Sequence, residues 1–428
     1  MSRAPAIVAM HVRSGLVGLN VVTAALDVDP RTRDLEIRFA KNAAEMARLL
    51  HDVARERPGA PLVGAWSFYS MDFEAAARDL AVVRAATSDL GVLHVAGGVH
   101  ATAEPHATLR GGFDLVAIGE GEHTMVAIAA ALTRGADVRA LAGTAHIDAA
   151  GRFVSHGPGE RPDLDTFPPF NVRYRKLNAL EITRGCVYAC SFCQTPFMFK
   201  ARFRHRSVAN VRGWVDRTYE HGSKFMRFLT PTSLSYGSDD TSVNLDAVED
   251  LLASVREGAG PHAKIFFGTF PSEIRPEHVS ERALAILAKY IDNRTLVVGG
   301  QSGSDRVLER TRRGHDVAAI VRAVELCVAA GFRPDVDFLL GLPGETEEDR
   351  ALSMALAERL VGMGARIHSH AFMPLPGTPL RDALPEPIEA KTTLAMERLE
   401  AKGRAYGQWR KQLVTSADLV RARRTRVS

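Results

Sequence analysis

Residues 183–196 read TRGCVYACSFCQTP. The stretch contains three of the chain's four cysteines: Cys186, Cys190 and Cys193. Thiolates at this density bind soft metals, and iron–sulfur clusters above all. The remaining cysteine, Cys327, lies in the run AVELCVAA at 323–330, whose pattern is typical of an apolar helix face. Three thiolates would leave one iron of a four-iron cluster open to an outside ligand, so the loop predicts a site for chemistry.

A structural zinc site and a disulfide pair are the alternatives for the same cysteines. A structural zinc site is closed by four ligands, and this loop supplies three. A disulfide pair needs an oxidising compartment, but residues 1–10, MSRAPAIVAM, lack the long apolar core of a signal peptide. We therefore expect a cluster in a protein of the reducing cytoplasm.

The CxxxCxxC spacing, with the aromatic Phe192 before the last cysteine, resembles the signature of radical S-adenosylmethionine (SAM) enzymes. The resemblance implies a [4Fe–4S] cluster held by the three cysteines, with SAM chelating the open iron. It also implies an external electron donor of the flavodoxin or ferredoxin type. In this family an electron from the cluster cleaves SAM to a 5′-deoxyadenosyl radical, which abstracts hydrogen from unreactive carbon.

Composition bounds the remaining possibilities. A chain of 428 residues with 46% hydrophobic and 24% charged residues is long enough for two domains and an extension. Its net charge of +4 is small for this length, so nucleic acid is not expected as a partner. No run of about twenty uninterrupted apolar residues is present, so no membrane span is expected.

The first 150 residues alternate short apolar runs with helical patterns, which is typical of a parallel α/β sheet. The predicted strands are residues 6–10, 61–67, 91–96 and 114–118, of which the last closes the series. A helix is predicted over 73–86, because apolar residues recur there at three- and four-residue spacing. The pattern predicts an N-terminal Rossmann-like domain over residues 1–150.

Small or polar residues follow three of these strands, namely Ser67, GGVH at 97–100 and GEGE at 119–122. In doubly wound sheets ligands bind at this edge, where glycine lets a backbone approach closely. The GGxH-type and GEGE-type turns, in this order, resemble the cobalamin-binding domain that precedes many radical SAM domains. The resemblance implies that cobalamin contacts nine residues: Ser67, Gly97, Gly98, Val99, His100, Gly119, Glu120, Gly121 and Glu122.

One mark of that domain is missing. The DxHxxG loop, which supplies a histidine to cobalt, is replaced by MHVRSGLVG at 10–18. We therefore expect cobalamin to bind without a protein histidine on its lower face. The alternative is a plain Rossmann-like domain kept for packing or for another ligand.

Residues 151–170 are rich in Gly, Pro and Asp and show no periodicity, which predicts a linker over 151–177. A βα rhythm then runs through six predicted strands: 178–183, 224–230, 264–268, 295–298, 335–340 and 366–372. The resemblance implies an open (β/α)6 radical SAM barrel over 178–380. Loops that follow strands build the active site of α/β barrels, and the cysteine loop follows the first of these strands.

Two later segments resemble family segments that lie near SAM. GGQSGSDRVL at 299–308 resembles the segment after the fourth strand, and GLPGETEED at 341–349 resembles the turn beside the adenine. With the aromatic residue of the cysteine loop, they imply seven SAM contacts: Phe192, Gln301, Ser302, Ser304, Gly341, Pro343 and Gly344. Capping of the next helix is the alternative for Ser302 and Ser304. The acidic residues after Gly344 suit a helix N-terminus.

Residues 381–428 predict a helical extension with a basic tail, and 388–403 are patterned as an amphipathic helix. The tail, 419–428, is expected to be solvated rather than to bind nucleic acid. The barrel residues that would select a substrate are chemically generic: Thr230, Thr232, Ser272, Glu273, His368 and His370. For the two histidines, a hydrogen-bonded structural role is favoured over catalysis.

These features lead to three hypotheses for function. The first is a cobalamin-dependent radical SAM enzyme that methylates an unactivated carbon of a small molecule or peptide, with methylcobalamin as the methyl donor. The second keeps both cofactors but catalyses a cyclisation or rearrangement, with cobalamin transferring electrons. The third is a non-catalytic iron–sulfur electron carrier or a zinc-stabilised binding protein, which would need a fourth metal ligand. The QSGS run also resembles methylthiotransferases, in which an RNA-binding module and an extra cysteine cluster would be expected.

Overall fold

The structure is a computed structural model that describes residues 4–427, with side chains through Arg423. The chain divides after Asn178 into two compact units. Residues 151–177, predicted as a linker, belong to the first unit. The predicted start of the barrel, at residue 178, lies beside the boundary between the units.

The first unit contains a seven-stranded sheet. Its strands are β1 (Ala6–Met10), β2 (Glu36–Ala40), β3 (Leu62–Ser67), β4 (Val92–Gly97), β5 (Leu115–Ala117), β6 (Thr144–Ile147) and β7 (Phe153–Ser155). Their order is β2-β1-β3-β4-β5-β6-β7; the first five pair in parallel, and β6 and β7 are added antiparallel. The four predicted strands and the Rossmann-like parallel sheet are confirmed.

Strands β2, β6 and β7 were not predicted, and the expectation that the series closes at residue 118 is wrong. In β2 the apolar run is interrupted by Glu36 and Arg38, whose side chains form an ion pair. The two antiparallel strands end the sheet and are short: β6 has four residues, TAHI, and is largely buried, whereas β7 has three and is largely exposed. Runs of this length carry little periodic signal. Sequence periodicity therefore identified the buried centre of the sheet better than its edges.

Helices cover both faces of this sheet. They are α1 (Leu16–Val28), α2 (Ala43–Glu56), α3 (Phe73–Ala86), α4 (Gly98–Ala103), α5 (Pro105–Arg110) and α6 (Gly121–Thr133). Because successive strand residues point to opposite faces, Val8 packs in one core with Leu50 of α2, while Ile7 packs in the other with Leu19 of α1. The helix predicted over 73–86 is confirmed as α3.

The second unit contains the strands of the predicted barrel. They are β8 (Leu180–Glu181), β9 (Thr183–Arg184), β10 (Arg204–His205), β11 (Phe225–Leu229), β12 (Lys264–Phe266), β13 (Thr295–Gln301), β14 (Arg333–Leu340), β15 (Arg366–Ala371) and β16 (Ala405–Gly407). Parallel pairing gives the orders β12-β11-β8 and β13-β14-β15-β16, and β9 pairs antiparallel with β10. The first predicted strand, 178–183, forms two short strands, β8 and β9.

The described residues thus contain one parallel strand more than the six that were predicted. The additional strand is β16, which lies in the segment 381–428 that was predicted as a helical extension. It pairs in parallel with β15. It has three residues, AYG, and its short, partly exposed pattern gave no strand signal.

Helices alternate with these strands. They are α7 (Gln194–Met198), α8 (Val208–Glu220), α9 (Leu245–Ala259), α10 (Glu281–Tyr290), α11 (Asp305–Arg310), α12 (Val317–Ala329), α13 (Glu347–Gly362), α14 (Ala390–Ala401) and α15 (Trp409–Val427). Local capping defines several starts: Ser207, Asn244, Ser280 and Asp316 each accept a backbone N–H three residues on. Thr346 and Asp349 form a capping box at α13.

The C-terminal extension is largely helical, as expected. The amphipathic helix predicted over 388–403 is α14, and the basic tail continues α15 through Val427 instead of fraying. Ser428 lies outside the described residues. Among residues 4–427, no helix combines the length and the apolar character that crossing a bilayer requires.

Candidate active site

The cysteine loop lies between β9 and α7. Its three cysteines line one cavity of about 380 Å³ in the second unit. Burial raises the pKa of Cys186 to about 12 and also raises that of Cys193. Thiols with raised pKa values ionise when a metal replaces the proton, so they are inert as free nucleophiles but competent as ligands.

The donor set fits a [4Fe–4S] cluster. Three sulfur ligands come from one loop, and the cavity that they line is shared with side chains from later strands. Among the described residues that line the cavity there is no fourth cysteine. Cys327 is fully buried in α12, as its apolar pattern predicted, and burial raises its pKa to about 12.

Two arginines lie beside one of these sulfurs. The Nη1 of Arg313 is 3.5 Å from Cys190 Sγ, and the Nη1 of Arg275 is 4.0 Å from the same atom. Both side chains line the cavity. We call Arg275 and Arg313 the arginine pair.

Carboxylate and aromatic groups hold Arg275 in place. Its guanidinium stacks over the Tyr188 ring at 3.5 Å, and its Nε–H donates to Glu277. Burial alone would raise the pKa of Glu277, but the hydrogen bond from His315 and the charge of Arg275 lower it to about 2. Glu277 is therefore ionised at neutral pH and forms a lasting anchor for Arg275.

A second polar group lies on adjacent strands. Asp337 of β14 stands in register with His368 of β15, and His370 follows on the same face. His368 Nδ1 is 2.8 Å from Asp337 Oδ1, and His370 Nε2 is 4.0 Å from the same oxygen. We call Asp337, His368 and His370 the acid–histidine group.

The acid–histidine group is the one set in the described chain with three potential metal ligands within 4.8 Å of one another. Its hydrogen bonds argue against a metal. Ala371 N–H donates to Gln412 Oε1 at 2.9 Å, so the Gln412 amide nitrogen faces His370 Nδ1 at 3.3 Å. Neutral His370 then carries its proton on Nε2, the nitrogen nearer Asp337, and has no lone pair there for a metal.

Glu273 adds a carboxyl group to the cavity lining. Burial, followed by the charge of Asp337, raises its pKa to about 7. Burial also lowers the pKa of His370. A cavity with a carboxyl group that titrates near neutral pH and an imidazole N–H can both accept and donate hydrogen bonds to a substrate.

Of the six residues predicted to select a substrate, three line the cavity and three do not. Glu273, His370 and Thr232 line the cavity; Thr230, Ser272 and His368 do not. His368 stacks on Tyr406 at 4.5 Å, in keeping with a structural hydrogen-bonded histidine.

The residues predicted to contact SAM fall into two groups. Phe192 and Gln301 line the cavity, whereas Ser302 and Ser304 are buried outside its lining. Ser304 stands at the N-terminus of α11 but does not cap it, because its hydroxyl donates to Asp349 Oδ1 at 2.6 Å. Gln301 adopts φ +77 at a bulge in β13, an unusual conformation for a residue other than glycine.

The GLPG turn also lies outside the lining of this cavity. Gly341 N–H donates to Glu345 and Gly344 N–H donates to Glu386, so both glycines are fixed within the protein. Pro343 lies between them in the turn. The acidic residues that follow occupy the first turn of α13, as predicted. The contacts of Gly341, Pro343 and Gly344 with SAM remain predictions.

In the first unit, the residues predicted to contact cobalamin share one sheet edge. Ser67 ends β3, Gly97 ends β4, and residues 98–100 begin α4. Residues 119–122 lead into α6. Ser67, Gly97, Gly98, Val99, Gly119 and Gly121 are half-buried, whereas His100, Glu120 and Glu122 are buried. His100 stacks on Phe73 at 4.4 Å and is buried in the interior of the unit, and its contact with cobalamin stays a prediction.

The fold restricts position 98 to glycine but does not restrict position 97. Gly98 has φ +87, and a Cβ there would lie 2.6 Å from Ser67 Oγ, so the fold itself needs glycine. A Cβ on Gly97 would approach no atom more closely than Ala117 Cβ at 3.8 Å. The fold does not need glycine at 97, which fits an edge kept free for a flat ligand such as cobalamin.

Several cavity residues escaped the sequence analysis. Asp337 was detectable, because a carboxylate in the apolar run DVDFLL is unusual in a buried strand. The arginine pair gave no local signal, since the two residues are 38 positions apart and meet through the fold. Gln412 comes from α15, well outside the predicted barrel.

Comparison with known proteins finds a family match over the part of the chain that contains the cysteine loop. The family model described as "Radical SAM superfamily" matches residues 180–357, from β8 into α13. A tRNA-2-methylthio-N(6)-dimethylallyladenosine synthase from Saccharophagus degradans is 28% identical over 249 residues, which are 55% of this chain and 53% of that protein. The chain thus spans about half the length of the curated relatives that it matches.

Two solved structures resemble nearly the whole chain. The radical SAM methyltransferase TsrM from Kitasatospora setae is 19% identical, with a TM-score of 0.64 over 89% of this chain and 77% of TsrM. The cobalamin-dependent SAM radical enzyme OxsB is 15% identical, with a TM-score of 0.65 over 93% of this chain and 56% of OxsB. At these identities the likeness shows the fold. Residues 180–357 match the radical SAM superfamily, and the chain has the fold seen in TsrM and OxsB.

Proposed function

We propose that this radical SAM enzyme depends on cobalamin and transfers a methyl group to an unactivated carbon of a small molecule or peptide. The main support is the extent of the likeness to TsrM, which at 89% of the chain reaches beyond the second unit into the first. The family match by itself concerns only residues 180–357.

The cysteine loop accounts for the radical half of the proposal. Cys186, Cys190 and Cys193 would hold the [4Fe–4S] cluster, and the rest of the cavity would receive SAM beside Phe192 and Gln301. When bound, these cofactors supply the 5′-deoxyadenosyl radical. The protein orients SAM and limits the access of water, since most of the lining side chains are at least half-buried.

The glycine edge of the first unit accounts for the cobalamin half. Its half-buried residues would lie against the corrin: Ser67, Gly97, Gly98, Val99, Gly119 and Gly121. The nearest histidines are committed elsewhere, because His100 stacks on Phe73 and His11 is hydrogen-bonded to Asn20 at 2.7 Å. These contacts support binding without a histidine ligand to cobalt.

The names of the curated relatives favour a second candidate, the transfer of a methylthio group. Such chemistry needs a sulfur source, for which an extra cysteine cluster would be expected. Residues 1–178 contain no cysteine, so methyl transfer is the better-supported proposal.

An isotope experiment tests the proposal. The protein is reconstituted anaerobically with iron, sulfide and cobalamin, reduced with flavodoxin or a chemical reductant, and given SAM with a deuterated methyl group. We expect deuterated methylcobalamin on the protein and S-adenosylhomocysteine in about equal amount, with both absent when cobalamin is omitted. SAM cleavage without any methyl transfer to added cobalamin would contradict the proposal.

A further inference from the structure

The arginine pair is placed to act on the cluster. Both guanidinium groups approach the same ligand sulfur, Cys190 Sγ, at 3.5 Å from Arg313 and 4.0 Å from Arg275. Arginine stays protonated in proteins, so two positive charges lie beside this thiolate whatever the pH. Cys186 accepts a hydrogen bond from the backbone of Tyr188, and Cys193 accepts hydrogen bonds from the backbone and side chain of Thr195. Among the described residues, the guanidinium contacts are made with Cys190 Sγ.

Both guanidinium groups are held firmly. Arg313 Nη2 donates to Gly299 O at 2.7 Å, and Arg275 Nη2 donates to the carbonyl oxygen of Arg313 itself. Tyr188 and Glu277 fix the other sides of Arg275. Arg313 would lose its hydrogen bond to Gly299, and Arg275 would lose its contacts with Tyr188, Glu277 and the Arg313 carbonyl, if either charge moved away from Cys190. The pair therefore acts as a fixed field.

We propose that Arg275 and Arg313 raise the reduction potential of the [4Fe–4S] cluster and thereby make it reducible by an external donor. Three thiolates and an oxidised core carry a net charge of about −1, and one added electron makes it about −2. Reduction takes one electron from the donor and no proton. Nearby positive charge and N–H···S hydrogen bonds stabilise the more negative state. The inference rests on the proposed radical SAM function of the second unit and not on the proposed role of cobalamin.

The test is a potentiometric titration of the reconstituted protein without SAM, followed by electron paramagnetic resonance of the reduced cluster. In Arg313→Gln and in Arg275→Gln we expect the equilibrium constant for reduction to fall about tenfold, a shift of about 59 mV to lower potential. Arg313→Lys and Arg275→Lys keep the charge and should recover most of this loss. A purely structural role would not distinguish lysine from glutamine in this way.

A matched control is Arg256→Gln, which removes a paired guanidinium of the same unit that binds Asp292 and the carbonyl oxygen of Tyr290. It should leave the potential unchanged. Wild-type potentials in both glutamine variants, with the cluster assembled, would overturn the proposal.

A second measurement covers the case in which a variant fails to assemble its cluster. The unaltered protein is reconstituted in H2O and in D2O, and the iron–thiolate stretching modes are compared by resonance Raman spectroscopy. Hydrogen bonds to the ligand sulfurs, from the arginine pair at Cys190 and from Tyr188 and Thr195 at the other two cysteines, should shift these modes. Identical spectra would show that no exchangeable N–H contacts a ligand sulfur, and the proposal would fail.

Discussion

The two candidate cofactor sites are built in opposite ways. The cysteine loop uses side chains, since three sulfurs from residues 186–193 line one cavity. The glycine edge of the first unit, formed by Ser67, Gly97, Gly98, Val99, Gly119 and Gly121, relies mainly on its four glycines, which have no side chain to block the ends of the strands. Removing a side chain should therefore disable the cysteine loop, whereas adding a side chain should disable the glycine edge. This contrast decides how each site can be tested.

The largest effect is expected where a ligand is removed. Cys193→Ala should abolish cluster assembly and SAM cleavage, because the loop has no spare thiolate to replace it. Iron content, with about four irons expected in the unaltered protein, and the yield of 5′-deoxyadenosine measure the effect. Cys327→Ala is the control: this buried cysteine lies in α12, so the variant should keep its cluster. Loss of the cluster in Cys327→Ala would refute the three-ligand assignment.

At the glycine edge, the informative change adds atoms. Gly97→Ala should weaken cobalamin binding and leave the melting temperature nearly unchanged, because a Cβ at this position meets no close atom of the protein. Equilibrium dialysis with hydroxocobalamin measures the affinity. Unchanged affinity would mean that the edge is not the corrin site.

Gly98→Ala is the matched comparison at the next residue. Its φ of +87 and the contact at 2.6 Å with Ser67 Oγ should cost about 1–3 kcal/mol of stability. A fall in cobalamin binding in this variant would accompany a lower melting temperature and could not be assigned to the ligand alone. The pair of variants therefore separates a residue that the fold needs from one that the ligand needs.

The cavity itself should show a pH-dependent effect of moderate size. The pKa of Glu273 is raised to about 7 by burial and by Asp337. The folded state therefore holds this proton more tightly than the unfolded state. Ionisation of Glu273 thus lowers the free energy of unfolding, and this loss of stability grows as pH rises from about 4.5 to 7. Glu273→Gln removes the ionisable group and with it this loss of stability. The advantage of the variant over the unaltered protein should therefore increase from pH 5.5 to pH 8, by on the order of 1–3 kcal/mol.

Glu277→Gln is the control for this pH effect. The pKa of Glu277 is lowered to about 2, so its contribution to stability is present above its unfolded pKa and is lost only in acid. Its substitution should cost the same at pH 5.5 and at pH 8 in parallel thermal melts. An equal effect of Glu273→Gln at both pH values would show that Glu273 does not titrate in this range.

The smallest effect concerns the predicted SAM contacts. Ser304→Ala removes the hydrogen bond to Asp349 and should cost about 1 kcal/mol of stability without changing SAM affinity. Gln301→Ala, at the cavity lining, should weaken SAM binding and leave stability almost unaltered. Binding of SAM to the reconstituted protein and thermal melting measure the two effects. Weaker SAM binding in Ser304→Ala, with unchanged SAM binding in Gln301→Ala, would support Ser304 and not Gln301 as the SAM contact.

Features whose residues lie close together in the sequence could be predicted from it. The cysteine loop was predictable because its ligands lie within eight consecutive residues, and Cys327 because its helix face is uniformly apolar. Strands β1, β3, β4 and β5 were predictable because they lie in the buried centre of a parallel sheet. Strand β2 was missed because Glu36 and Arg38 conceal its alternation.

Features that depend on distant residues were not readable. The arginine pair meets Cys190 from positions 275 and 313, and Gln412 reaches His370 from α15. Ser304 was assigned to SAM because of its segment, yet its hydroxyl is used by Asp349 on another helix. His100 follows a diagnostic glycine pair but turns into the core. In each case the tertiary partner, which lies far away in sequence, determines the role.

The central claim is that one chain carries both cofactor sites. The most direct test is the anaerobic isolation of the intact protein with its cluster, followed by measurement of bound cobalamin and the electron paramagnetic resonance of its cob(II)alamin state. We predict about one cobalamin per chain and no nitrogen splitting from an axial histidine, since His11 and His100 are engaged within the first unit. Protein that assembles its cluster and cleaves SAM but binds no cobalamin would contradict the claim.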